Sequence, residues 1–285
     1  MKRHHFKRAA GAFLLALAMV LPLAGCTPGP EYTPLTVTLL KVGKADAIVA
    51  LSGPHALVLD AGEEDDGPEV VRFLKDHGVR EVEAMIITHY DKDHVGGADT
   101  VLEELPVGTV YAPDYQGNHP EYLDFLAAAE AASVPVQTLN ETVSFKLGDA
   151  DVLIEPPSSY QVPEGVEEYD NNFSLITTIT HGRNRLVFMG DAEKQEIRDW
   201  LRRDSAAPCG FLKVPHHGIY NGALDELFSA LRPQYSVICD SRKNPAEPKT
   251  LELLKQFCPN VFETKDGNVV VISDGNKLEL QQKRK

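Results

Sequence analysis

Thr88-His89-Tyr90-Asp91-Lys92-Asp93-His94-Val95-Gly96-Gly97 is the stretch on which the reading of this chain turns. Four side chains able to hold a cation, His89, Asp91, Asp93 and His94, fall within six residues of one another, directly after the apolar run Ala84–Thr88. That run reads as a buried strand delivering a loop. In an extended segment His89, Asp91 and Asp93 alternate onto one side, and a turn at His94 brings a fourth donor round, so two cations can share one loop. A merely solvated loop has no need of His and Gly-Gly straight after Ile-Ile-Thr.

Outward from this segment the pattern alternates. Leu35–Leu40, Ala47–Leu51 and Ala56–Leu59 read as a β-meander punctuated by Gly43 and the Gly53-Pro54 turn, and 68–77 has helical spacing through Val70, Val71 and Leu74. Helices are expected over 97–105 and 121–132, with a short strand at 107–111 between them. A second series follows: strands near 144–147, 151–155, 174–180 and 185–189, a helix over 194–203, a strand at 211–214, a helix at 223–231, a strand at 235–239, a helix at 248–257, and terminal strands at 261–264 and 269–272. Meanders followed by mixed strand and helix in each half predict an α/β fold of two sheets packed face to face with helices outside, a four-layer αββα sandwich over 35–285 with no linker to divide it.

The decisive segment resembles the second motif of the metallo-β-lactamase fold, in a His-x-Asp-x-Asp-His form rather than the commoner His-x-His-x-Asp-His. Asp in place of the second His is characteristic of the hydrolase domain of the competence protein ComEC, the membrane channel for DNA uptake, and of its freestanding relatives. Further segments match that group in order. Val42-Gly43-Lys44-Ala45-Asp46-Ala47 is similar to its Val-Gly-Gln-Gly-Asp-Ala turn, Leu57–Gly62 to its first motif, Asn171-Asn172-Phe173-Ser174-Leu175 to an Asn-rich strand entry, Phe188–Glu193 to the motif carrying the bridging aspartate, and Leu212–Gly218 to the last metal motif.

The resemblance implies two divalent ions, zinc or manganese, held by His89, Asp91, Asp93, His94, Asp191 and one histidine of the pair His216-His217, with His216 favoured. Asp93 and Asp191 stand as the catalytic carboxylates. A carboxylate such as Asp191 at a strand end can bridge two cations, and the oxygen ligand Asp91 hardens the first site, which makes manganese competitive with zinc. Asp60 is expected to orient a ligand from behind, since metal-bound imidazoles commonly donate their other N–H to a carboxylate. Asp46, Asn171, Asn172, Ser174, Lys213 and His217 are expected to support the site or touch substrate. His55, His77, His119 and His181 read as surface or satisfied histidines. The chain departs from the group at Lys41, Lys44, Ala45 and Glu247, which leaves the metal core intact but puts DNA-type recognition in question.

The N-terminus sets the expected location. Lys2, Arg3, Lys7 and Arg8 precede the apolar run Ala9–Leu23, and Leu23-Ala24-Gly25-Cys26 resembles the bacterial lipoprotein processing box. Residues 1–25 are thus expected to be a lipoprotein signal peptide, Cys26 the lipidated residue that holds the protein to the membrane outside the cytoplasm, and 26–34 a tether. Losing those four basic residues moves the formal charge from −14 to −18. That sign opposes broad nucleic-acid binding, so a polyanion would have to be gripped locally. Cys209, Cys239 and Cys258 remain, too widely spaced for a zinc knuckle; a disulfide between two of them is open outside the cytoplasm, without indication of which pair.

The expected chemistry is hydrolysis of a phosphodiester by in-line attack of an activated water, the cations neutralising charge on the phosphoryl oxygens. The resemblance implies DNA as substrate. The acidic surface points instead to a small or locally held ester, and a teichoic-acid-type phosphodiester of the envelope is one alternative. A lactamase or lactonase acting on a carbonyl, and a catalytically silent binding lipoprotein, are the others.

Overall fold

The structure, a computed structural model, describes Met1 and residues 31–284, apart from 163, 165–168 and 204. The expected leader beyond Met1, and Cys26, lie outside these residues. No helix among the described residues is long and apolar enough to cross a membrane.

Fifteen strands and seven α-helices are described. They run β1 Leu35–Leu39, β2 Ala47–Ser52, β3 His55–Ala61, α1 Gly67–Asp76, β4 Ala84–Ile86, α2 Lys92–Val95, α3 Ala98–Glu104, β5 Val110–Pro113, α4 Pro120–Ala131, β6 Val136–Leu139, β7 Val143–Leu147 and β8 Ala150–Glu155. Then come β9 Ile176–His181, β10 Asn184–Phe188, α5 Lys194–Trp200, β11 Phe211–Lys213, α6 Leu224–Leu231, β12 Tyr235–Ile238, α7 Pro248–Leu254, β13 Asn260–Glu263, β14 Gly267–Ser273 and β15 Leu278–Arg284. One sheet has the order β15-β14-β1-β2-β3-β4-β5-β6, the other β13-β12-β11-β10-β9-β8-β7.

Alternation along each strand builds the layers. On β2, Ile48 and Ala50 face the space between the sheets, where they meet Leu57, Leu59, Val152, Ile179 and Phe188. Their neighbours Ala47 and Val49 face the other way and pack under α1, α3 and α4 with Val70, Leu74, Val101 and Phe125. The second sheet does the same with Val187, Leu212 and Ile238 beneath Trp200, Leu227, Phe228 and Leu254. The result is the expected α/β sandwich of four layers.

Both sheets are mixed. In the first, β3, β4, β5 and β6 pair in parallel, and in the second so do β10, β11, β12 and β13. Asp60 stands near the carboxyl end of β3, and the loops leaving the carboxyl ends of β4, β10, β11 and β12 carry His89–His94, Asp191, His216-His217 and Cys239. This is where parallel strands collect ligands, because each such end is followed by a loop free to turn over the sheet edge.

Three local features depart from the expectation. The segment after β4 is not extended through Asp93: Asp91 is the last extended residue (φ −67°, ψ 145°), and α2 starts at Lys92, so a helical turn presents Asp93 and His94. Strand β6 and the terminal β15 escape apolar patterning because both are edge strands, the latter reading Leu-Glu-Leu-Gln-Gln-Lys-Arg. The end of the expected tether is docked rather than free, since the Thr33 amide donates to Asp149 (2.7 Å) and the Tyr32 ring sits edge-on to His181 at 5.2 Å.

Candidate metal centre

The centre forms where the β4 loop meets the β10 and β11 loops. Gly96 and Gly97 seat the first of these: a Cβ on Gly96 would lie 2.4 Å from the Lys92 carbonyl oxygen, and one on Gly97 2.5 Å from that of Ala61. Only glycine lets α2 close so tightly onto the end of β3. Gly190, at φ 50°, turns the chain so that Asp191 points inward, and the Ser174 hydroxyl accepts the Asp191 amide at 3.1 Å.

Each candidate imidazole has one nitrogen committed to protein and the other aimed into a shared space. The Thr88 amide (2.8 Å) and hydroxyl (2.7 Å) donate to Asp60, and His94 Nδ1 donates to the same carboxylate at 2.8 Å. His94 Nε2 then faces Asp191 Oδ1 at 3.2 Å. His89 Nδ1 donates to the Thr88 hydroxyl oxygen (3.1 Å), which leaves its buried Nε2 without any hydrogen-bond partner and 3.5 Å from Asp91 Oδ2. His217 Nδ1 donates to the Cys239 carbonyl (2.8 Å), and its Nε2 lies 3.1 Å from Asp191 Oδ2, 3.4 Å from Asp93 Oδ2 and 3.3 Å from His94 Nε2.

His216 is therefore not the residue the fold brings to the centre; this corrects the expectation. Its Nε2 is 4.0 Å from Asp191 Oδ2 and its Nδ1 turns to Glu193 at 3.2 Å. The cause is local: His216 (φ 48°) and His217 (φ 49°) are successive left-handed residues, a conformation uncommon outside glycine, and it drives the second ring rather than the first into the interior.

Among the described residues three overlapping donor sets result, all sharing His94: His89, His94 and Asp191; Asp93, His94 and His217; and, behind the ring, Asp46, Asp60 and His94; the first two face the shared space, each with atoms close enough to share an ion. Asp91 sits beside the first through its contact with His89. With the imidazoles neutral, as metal ligation requires, Asp46, Asp60, Asp91, Asp93 and Asp191 carry five negative charges and Lys213 one positive, so the formal balance is −4, which two divalent cations would cancel. The electrostatics point the same way. Burial alone would raise the Asp191 carboxyl, but His217, His94 and Lys213 hold it well below the usual carboxylate range. Burial would likewise depress His217, yet Asp191, Asp93 and Asp46 push it up to about 9. The cluster pulls positive charge into itself, and the buried, unpartnered Nε2 of His89 is the form a ligand takes.

The supporting residues fall into place around this. Lys213 is fully buried, paired with Asp46, donating to the Gly190 carbonyl (2.8 Å) and 3.4 Å from Asp191 Oδ1. It is a fixed cation beneath Asp191 and has no free path to a substrate. The Asn172 amide oxygen accepts from the Gln195 and Glu196 amides (3.2 and 3.1 Å) and so caps α5. Asn171 faces a cleft of about 610 Å³ beside the centre, with Asp91, Asn118, His119, Tyr169, Asp170, Glu193 and His216. Sequence reasoning missed Thr88, the Cys239 carbonyl and Glu193 as site residues, and treated His119 as solitary, although its Nε2 is 4.0 Å from Asp91. No spacing rule could find them, because each comes from a different element. Tyr220 lies under the Lys249 ammonium, 3.6 Å from its ring centre. Cys209, Cys239 and Cys258 are all buried free thiols, so no disulfide joins them.

Comparison with known proteins agrees with the fold. The Metallo-beta-lactamase superfamily profile matches residues 41–239, which hold every donor named above. The ComE operon protein 3 of Bacillus subtilis is 24% identical over 212 residues, 73% of this chain and 27% of that protein. Recombination protein 2 of Haemophilus influenzae is 25% identical over 257 residues, 87% of this chain and 30% of that protein. The chain thus spans less than a third of either relative. Among solved structures, the metallo-beta-lactamase fold protein YhfI of Bacillus subtilis superposes with a TM-score of 0.54 at 11% identity, covering 87% of this chain and all of that one. With the profile spanning more than half of its length, this chain belongs to the metallo-beta-lactamase superfamily.

Proposed function

We propose that this metallohydrolase is a phosphodiesterase, held outside the cytoplasm by a lipid on Cys26, that carries two zinc or manganese ions and cleaves DNA or another phosphodiester. The observation that carries the reading is the cluster His89, Asp91, Asp93, His94, Asp191 and His217, whose formal charge with its supporting residues and neutral imidazoles is −4, whose Nε2 atoms converge on Asp191, and whose Asp91 lines an adjoining cleft. The kinship with a protein named for recombination supports a nucleic-acid substrate.

When bound, two such ions would supply Lewis acidity and lower the pKa of a coordinated water. The chain's part is to hold the donors. Asp60 and the Cys239 carbonyl anchor His94 and His217 through Nδ1, so that Nε2 is the atom each ring turns to the centre. Lys213 offsets part of the Asp191 charge from below, and Ser174 fixes the backbone at Asp191. Preorganised in this way, the carboxylates need no rearrangement as charge builds up on the reacting phosphoryl group. His216, oriented by Glu193, and Asn171 stand in the cleft where the ester's other substituents must lie.

The test is hydrolysis of bis-p-nitrophenyl phosphate and of single- and double-stranded DNA with manganese or zinc, beside Asp191→Ala and His94→Ala. Cleavage by the wild type and loss in both variants supports the reading, and DNA turnover decides the substrate class. Metal binding without cleavage would sink it, and turnover of nitrocefin or a lactone would move the assignment to carbonyl hydrolysis.

A further inference from the structure

The cleft beside the centre has a chemistry of its own. Its walls carry the carboxylates Asp170 and Glu193 beyond the donor Asp91, the neutral groups Asn118 and Asn171, the Tyr169 ring, and the imidazoles of His119 and His216, without one lysine or arginine among the described lining residues. Two divalent ions would bring the buried cluster close to formal neutrality, so they would leave the charge of these outer walls uncancelled. A nucleic acid threading such a cleft would place the phosphates next to the reacting one against carboxylates, with no guanidinium or ammonium group to receive them. Like charges so placed repel, and more strongly where walls exclude water.

The same walls suit the opposite charge. Tyr169 is held edge-on by Phe173, with ring centres 5.4 Å apart, and Phe173 is itself packed against Tyr115 (4.9 Å) and Tyr160 (5.4 Å). Its ring therefore has a supported position next in sequence to Asp170, and an aromatic face beside a carboxylate is a setting that attracts ammonium groups. Resting on the phosphodiesterase reading above, we infer that the cleft selects a single phosphodiester whose flanking group carries an ammonium charge, and rejects esters flanked by further phosphates. Asp170 and Tyr169 are the specificity-determining residues, with Glu193 contributing its charge.

Three p-nitrophenyl esters with one leaving group separate the possibilities: that of phosphocholine, that of thymidine 5′-phosphate, and that of thymidine 3′,5′-bisphosphate esterified at its 5′-phosphate. With the manganese-loaded full chain, kcat/KM for the choline ester is expected to exceed that for the 3′-phosphorylated ester by about tenfold or more, equivalent to ~1.4 kcal/mol. Raising the salt concentration should shrink that ratio. Asp170→Asn and Tyr169→Leu should each lower it several-fold, mainly through KM, while hydrolysis of the uncharged-flank thymidine ester changes little. Faster turnover of the 3′-phosphorylated ester, or a ratio unmoved by either variant, would overturn the inference and leave the phosphodiesterase reading standing. Absence of turnover with all three esters would overturn both.

Discussion

His217 Nε2 lies 3.3 Å from His94 Nε2, and each ring is anchored through Nδ1, to the Cys239 carbonyl and to Asp60 respectively, so that both Nε2 atoms are turned to one space beside Asp191. Two ring nitrogens turned to one space beside Asp191 suit a shared cation, which would take the place of the protons that the carboxylates otherwise draw there. His217→Ala is accordingly expected to lower the bound metal from two ions to about one and to cut activity by two orders of magnitude or more, roughly the scale of losing a ligand rather than its support. His216→Ala should keep both ions. Metal content by elemental analysis distinguishes the two, and equal loss in both variants would count against the assignment of His217.

Asp60 lies behind His94 and accepts from Thr88 twice and from His94 once. Asp60→Asn should keep the fold, since asparagine tolerates the left-handed backbone at this position (φ 54°). The amide cannot accept from all three groups through both of its heavy atoms. Metal affinity, read by competition with a chelator, is expected to fall about 10- to 100-fold. An unchanged affinity would show that His94 needs no such orientation.

Lys213 and Asp46 are both fully enclosed, and the lysine also neighbours Asp191. Lys213→Met would strand two buried carboxylates, at a cost of about 3–5 kcal/mol. Urea unfolding of the metal-free protein measures this without reference to activity. A loss below about 1 kcal/mol, the range of an exposed ion pair, would mean that the pair is solvated.

Glu196, on the buried face of α5, is pushed up to about 8 by burial, against the opposing pull of Arg203. Between the ordinary carboxyl value and that figure the folded chain holds more of this proton than the unfolded chain does. Its contribution to stability therefore falls as pH rises from about 5 to 8, by at most ~1.4 kcal/mol per unit. Glu196→Gln should flatten the decline. Wild type and variant losing stability in parallel over that interval would refute the burial argument.

Burial raises the thiol of Cys209 to about 12 and lifts those of Cys239 and Cys258 as well. A thiol reagent at pH 8 is expected to modify none of the three in the native protein and all three in denaturant, because attack needs exposed thiolate. Rapid labelling before unfolding would contradict their placement.

The linear order of residues alone determined most of the donors. His89, Asp91, Asp93 and His94 are legible because they are crowded into one loop after a buried strand, and Asp191 because it ends another strand; periodicity likewise determined the layers, since alternate residues of a strand must face opposite sides. Edge strands β6 and β15 were not legible, as neither buries a continuous face. Only the tertiary structure decided between His216 and His217, because two left-handed residues in succession turn the second ring inward and no residue type announces that conformation here. It also decided that Lys213 is an internal counter-ion and Asn172 a helix cap, and that Asp170, Glu193 and His119 share a cleft. Each of these depends on which loops the two sheets bring together at their carboxyl ends. Sequence separation carries no information about that distance.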